Sequence, residues 1–409
     1  MKFNTSLLHG NFKEDPHSGA TTIPIYQSTA FAHKTAEEME RIFAGREPGF
    51  LYTRLNNPTI ESFERRMAFL EKGVGAVSCA SGMAAISMAV LNCLQSGDQI
   101  LAGSGIFGGT YALFESFKAL GIRSTFLAES TVEAFAAAIS KETRLIFIET
   151  LGNPKLDVPE VKRIAEFAHA NGIILVVDST CTTPYLIHPL ELGADIVIHS
   201  TSKYINGSSN SIGGVIIASG RTDWDIEKYP GFKPFQKFGR FMVLAKLRKT
   251  IFKDFGTCSA PLNVYLTSLG FETLGLRMER ICANALALAQ ALKDHPKVNF
   301  VNYPGLEDNP YHRVAKEQFS SKFGGLLTLR AGSKENAFKV INHLQFALNA
   351  SNIGDARTLV VHPASTIYEA NTLEEREKMG VYEDLIRVSA GLEDVEDIID
   401  DFLNALAQL

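Results

Sequence analysis

The sequence predicts an α/β protein: a mostly parallel central sheet with helices on both faces, followed by a smaller α+β unit. Three observations predict it. Between residues 60 and 218, near-continuous apolar runs alternate with helix-length stretches, which is how strands covered on both faces read. From about residue 259 that alternation ends and a long helical pattern begins. At 409 residues the chain is also too long for one small core, so two units are expected.

Residues 1–58 show no strong period and end in the polar, turn-rich FLYTRLNNP; they read as an N-terminal arm. The large unit, 59–258, carries seven expected strands: 75–80 (GAVSCA), 99–102 (QILA), 122–127 (IRSTFL), 144–149 (RLIFIE), 173–178 (IILVVD), 195–199 (DIVIH) and 213–218 (GGVIIA). Each is short, apolar and rich in β-branched residues, so each suits a buried strand. Helices are expected at 82–95, 109–120 and 159–171. The smaller unit, 259–409, opens with a helix predicted over 263–294. Strands at 298–303 and 325–330 and an amphipathic helix at 394–407 follow.

Composition excludes several roles. A net charge of −5 argues against a general nucleic-acid binder. No apolar run reaches membrane-spanning length, and MKFNTSLLHGNFKEDP lacks the apolar core of a signal peptide. A cytoplasmic protein is expected. The five cysteines (Cys79, Cys93, Cys181, Cys258 and Cys282) are odd in number and contain no CxxC, so they suggest buried thiols rather than disulfides or a metal site. Residues 228–253 hold eight Lys or Arg and no Asp or Glu. A solvated or subunit-covered excursion explains them, with a dock for an acidic partner as the sharper alternative.

In a parallel sheet the binding crevice lies at the carboxyl ends of the strands. Two junctions there suggest an anion site. Gly103, Gly105 and Gly108 in GSGIFGG match the dinucleotide fingerprint, which would make the protein a nicotinamide-dependent oxidoreductase. Against this, the motif follows the second strand and includes the bulky Ile106 and Phe107. The other junction, ASGMAAISMAV, places Ser81, Gly82 and Met83 at a helix start, where free amides face an incoming anion. Asp178 ends an apolar strand, and Lys203 follows 25 residues later in DIVIHSTSKY, beside Ser200 and Ser202. An amine for an imine, a carboxylate for a protonated ring nitrogen and a hydroxyl-lined anion site are the needs of pyridoxal 5'-phosphate.

Longer motifs sharpen this reading. PIYQSTAF, YTRLNNPT, ASGMAAI, ETLGNPKLDVPE, VVDSTCTTPYL, HSTSKYINGSSNSIGGVI, LGLRMER, NYPGLEDNP, HPAS and IRVSAGLED span the chain from about residue 5 onward. With them the chain resembles the Cys/Met-metabolism family of pyridoxal-phosphate enzymes, of fold type I (aspartate-aminotransferase-like). IETLGNPKLDVPE, SIGGVIIASGRTDW and NIGDARTLVVHPAS resemble its O-acetylhomoserine sulfhydrylase branch. The excursion after Trp224 is also typical of that branch, although shorter here.

The resemblance implies roles residue by residue. Lys203 anchors the cofactor and shuttles protons, and Asp178 pairs with its ring nitrogen. Ser81, Gly82, Met83, Ser200 and Ser202 bind its phosphate, while Phe107 stacks on its ring. Tyr52 and Arg54 reach the neighbouring subunit's phosphate, with Tyr52 a candidate catalytic group. A dimer is then the minimum unit, and a dimer of dimers the expected assembly. Arg387 clamps the substrate carboxylate, Asn352 and Ser351 lie near the substrate, and Asn153, grouped with them, lies near the cofactor's phenolic oxygen. The implied reaction joins a small amino-acid substrate, O-acetyl-L-homoserine, to sulfide or to sulfur delivered by an acidic carrier protein. Cystathionine γ-synthase and methionine γ-lyase are the rivals on the same fold. Two departures stand out: Phe107 replaces the family's ring-stacking tyrosine, and Gly109 stands where the lyases typically carry a cysteine.

Overall fold

The computed structural model describes residues 1–409. All seven apolar runs of the large unit form strands: β1 (Gly75–Cys79), β2 (Gln99–Ala102), β3 (Arg123–Phe126), β4 (Thr143–Glu149), β5 (Ile174–Asp178), β6 (Ile196–His199) and β7 (Gly214–Ala218). They assemble in the order β1-β7-β6-β5-β4-β2-β3. β7 alone runs against its neighbours, and the other pairs are parallel.

Burial explains why the runs are continuously apolar. Leu145, Phe147, Ile174, Val176, Ile196 and Ile198 share one core with Ala85, Ile86 and Met88 of the helix Gly82–Cys93. The alternate residues Ile146, Ile148, Leu175, Val177 and Val197 share another with Val161, Ile164 and Ala165 of the helix Val161–Ala170. Successive side chains leave a strand on opposite faces, so a helix on each face demands apolar residues at every position.

The C-terminal unit holds a second sheet: β8 (Phe300–Asn302), β9 (Leu326–Arg330), β10 (Leu348–Asn349), β11 (Leu359–Val361) and β12 (Leu385–Ser389), in the order β10-β11-β12-β9-β8. Only β8 and β9 carry the runs expected from sequence. The predicted helix over 263–294 is two helices, Pro261–Phe271 and Leu274–Lys293. At the break the Gly270 carbonyl accepts from the Arg277 guanidinium at 2.7 Å, which ends the first ladder. The start of the expected arm is not free either. In the helix Phe3–His9, Leu7 is buried in the core, and its carbonyl accepts from Arg66 at 3.1 Å. No helix is long and apolar enough to cross a membrane.

Candidate active site

The carboxyl ends of β1, β4, β5 and β6 open into a cavity of about 420 Å³, whose far wall is Ser351, Asn352, Ile353 and Arg387 of the C-terminal unit. Ser81 caps the helix Gly82–Cys93 by accepting from the Ala84 amide at 3.0 Å. That leaves the first-turn amides of Gly82 and Met83 without helical partners, at the positive end of the helix dipole. The turn must be glycine. A Cβ on Gly82 would sit 2.6 Å from Ser200 Cβ, so only hydrogen lets the two phosphate-side segments close together. The Ser200 amide donates to Thr180 Oγ1 at 2.8 Å. The Ser202 hydroxyl donates to the Gly213 carbonyl at 3.1 Å and accepts from its amide at 3.0 Å.

Two carboxyl and two cationic side chains meet at this cavity: Glu149, Asp178, Lys203 and Arg387. Asp178 is buried at the end of β5, with Oδ1 accepting from the Thr180 amide at 2.9 Å and no cation paired with it. Burial raises its pKa. Glu149 lies beside it in register on β4 and accepts from the Phe107 amide at 2.6 Å. Burial first, and then the Asp178 charge, push Glu149 well above the carboxylate range. Lys203 donates to Asn352 Oδ1 at 2.5 Å, and burial followed by the Arg387 charge lowers its amine pKa. Arg387, on β12, donates to Asn153 Oδ1 and to the Asn352 carbonyl, each at 3.0 Å. It has no carboxylate partner although it is buried. A buried fork with spare donors is a receptor for a carboxylate.

Of the sequence candidates, Ser81, Gly82, Met83, Phe107, Asn153, Asp178, Ser200, Ser202, Lys203, Ser351, Asn352 and Arg387 line this cavity. Tyr52 and Arg54 do not. Tyr52 is 42% exposed, with the Arg54 guanidinium 5.6 Å from its ring centroid. Sequence reasoning missed Glu149, Thr180, Cys181 and Ser209, which also line it. Glu149 had a readable signal: it is the second carboxylate to end an apolar strand.

The glycine fingerprint has another use. A Cβ on Gly105 would meet Asp157 Oδ1 at 2.0 Å and one on Gly103 would meet Ser130 Oγ at 2.5 Å. These glycines serve internal packing and leave no room for a pyrophosphate. In the basic segment, Lys246 bonds the Asn92 carbonyl and lies 4.4 Å from the Phe232 ring centroid. Arg248 pairs with Glu64. These two cations seat the excursion on the body of the chain and are not free to dock a partner.

A model of the family described as Cys/Met metabolism PLP-dependent enzymes matches residues 4–407. The chain belongs to that family. Homocysteine synthase of Schizosaccharomyces pombe is 40% identical, covering 99% of this chain and 98% of its own. The O-acetyl-L-homoserine sulfhydrylase of Leptospira meyeri is 39% identical, covering 100% and 97%. A crystal structure from Campylobacter jejuni superposes with a TM-score of 0.94 at 32% identity over the whole of both chains, and carries a pyridoxyl-lysine monophosphate. The cofactor of the family is pyridoxal phosphate. The cavity fits it: a half-buried amine, a buried carboxylate without a cation, and a close cradle at Gly82 that a Cβ would fill.

Proposed function

We propose that this cavity converts O-acetyl-L-homoserine and sulfide into L-homocysteine and acetate. Support comes from full-length relatives named for that chemistry, and the single observation that carries it is a buried arginine facing the lysine and carboxylate with no anion of its own. Pyridoxal phosphate, when bound, supplies an electron-accepting ring conjugated to the substrate. Lys203 anchors it and moves a proton between substrate carbons. Asp178 holds a protonated ring nitrogen, and Ser81, Gly82, Met83, Ser200 and Ser202 hold the phosphate. Arg387 binds the substrate carboxylate through both faces of its fork, beside Asn153, Asn352 and Ser351. The carbon–oxygen bond breaks with its electrons going to acetate, and the sulfur of sulfide forms the new carbon–sulfur bond.

Tyr52 and Arg54 lie away from this chain's cavity, as they would if each served a second copy, so the assembly is read as a dimer of dimers in the cytoplasm. Residues 1–58 reach the neighbour, 59–258 hold the cofactor and 259–409 supply Arg387. Delivery of sulfur by an acidic carrier finds no support in a basic segment whose Lys246 and Arg248 are committed internally.

The test is a product assay of purified holoenzyme. Acetylhomoserine with sulfide should yield homocysteine, while succinylhomoserine, methionine and cystathionine should turn over poorly. Efficient methionine cleavage would overturn the reading.

Two substitutions follow. Phe107 offers an aromatic face but no proton, and acetate is a weak base that leaves without one. Phe107→Tyr should therefore change acetylhomoserine turnover by less than roughly tenfold, about 1.4 kcal/mol of barrier; a rise of several orders of magnitude would show that the missing hydroxyl limits the enzyme. Arg387→Lys keeps the charge but loses the fork. It should lower kcat/KM about 100-fold, roughly 2.7 kcal/mol, mainly through KM; an unchanged KM would place the substrate carboxylate elsewhere.

A further inference from the structure

Lys203 is held in an arrangement that no sequence motif announces. Its amine donates to Asn352 Oδ1. The other end of that amide, Asn352 Nδ2, donates to Ser209 Oγ at 2.9 Å, and the Ser209 hydroxyl donates to Asp355 Oδ2. Asp355 is buried and also accepts from the Arg357 amide at 2.9 Å.

The direction of every bond follows from one end. A carboxylate only accepts, so Ser209 must donate to Asp355 and has its oxygen left to accept. The group it accepts from must be the amide nitrogen of Asn352. The amide oxygen therefore faces Lys203. Were the amide reversed, two donors would meet at Lys203 and two acceptors at Ser209. The frame around this chain of bonds is tight: a Cβ on Gly354 would lie 2.5 Å from the Tyr204 amide nitrogen, the residue after Lys203.

Ser209 also sits in the left-handed region, at φ +53°. That conformation is unfavourable for a residue that carries a Cβ. A glycine would avoid the cost and lose the hydroxyl. Ser209 keeps this conformation with its hydroxyl bonded on both sides.

We propose that Ser209 and Asp355 are positioning residues that orient Asn352, so that its amide oxygen receives the Lys203 amine whenever that amine is free of cofactor. Free amine arises each time substrate replaces lysine on the cofactor, so the inference rests on the reading above for where it matters. It goes beyond that reading in naming what holds the displaced lysine.

The test is the titration of Lys203 in cofactor-stripped, full-length protein labelled with ε-13C-lysine, its signal assigned by its loss in Lys203→Ala. Ser209→Gly relieves the strain, and Ser209→Ala keeps the backbone cost; both remove the bridge. Arg387, Asp178, Glu149 and Cys181 are the charged or titratable groups around the amine, and neither substitution changes their number. The Asn352 oxygen favours the ammonium form, so its loss lowers the midpoint. A fall of about one pH unit in both variants is expected, with melting temperature unchanged or higher in Ser209→Gly. An unchanged midpoint in both folded variants would overturn the proposal, as would a shift in only one of them. Because the measurement uses no acetylhomoserine, its outcome is separate from that of the product assay.

Discussion

Lys203→Ala is expected to yield a folded protein without a borohydride-reducible chromophore and with turnover reduced roughly 10⁴-fold or more, over 5 kcal/mol of barrier. Folding should survive because the lysine has no ion pair, and its one hydrogen bond goes to Asn352. Removing a desolvated cation that lacks a counter-charge leaves no opposite charge stranded in the interior. Chemistry should not survive, because no other lysine lines the cavity and only an amine condenses with an aldehyde to an imine that borohydride reduces. The decisive measurement is absorbance before and after borohydride. A reducible chromophore that persists in the variant would remove Lys203 from its role.

Asp178→Asn should be the next most damaging change, lowering kcat roughly 10³-fold, about 4 kcal/mol, with cofactor still bound. Asp178 is buried with no cation, and burial raises its pKa in the chain alone. A protonated ring nitrogen against it would supply the missing positive charge and stabilise the carboxylate form. The sign matters for pH. Once the two are paired, the pair should persist down to lower pH than the isolated carboxyl would, so activity should not fall on the acid side because of Asp178. An asparagine keeps the shape but offers no charge, so the ring would lose its proton and much of its pull on electrons. Near-normal kcat in Asp178→Asn, with an unaltered cofactor spectrum, would show that another group sets the ring's protonation. Glu149, one strand over and in register, would be the first to examine.

The seven strands of the large sheet were legible because each is buried on both faces and therefore apolar at every position. Asp178 was legible for a related reason, since a carboxylate that ends a buried strand needs a partner; Lys203, four residues past the end of β6, was legible only together with Asp178 and the flanking hydroxyls. What was not legible depends on distant pairings or on very short elements. β10 has two residues, Leu348 and Asn349, both exposed, and leaves no pattern to read. The break between Phe271 and Leu274 contains neither glycine nor proline at the junction itself; it follows from Arg277 taking the Gly270 carbonyl. Glu149 ends an apolar strand as Asp178 does, but that the two stand side by side depends on a strand register that local spacing does not give. Ser209 meets a carboxylate 146 residues away, beyond the reach of local spacing.

The cavity has one wall from the large sheet and the other from the small one. Arg387 is the charged group of the cavity that belongs to the second sheet, and its fork has no carboxylate partner. On the proposed reading, an amino acid entering the site would act as a tie across a seam, its amino end committed to one half of the molecule and its carboxylate to the other. Binding energy gathered at Arg387 is then available to draw the halves together and shut out water, so that a substrate lacking the carboxylate would lose not only a contact but the closure of its own reaction chamber.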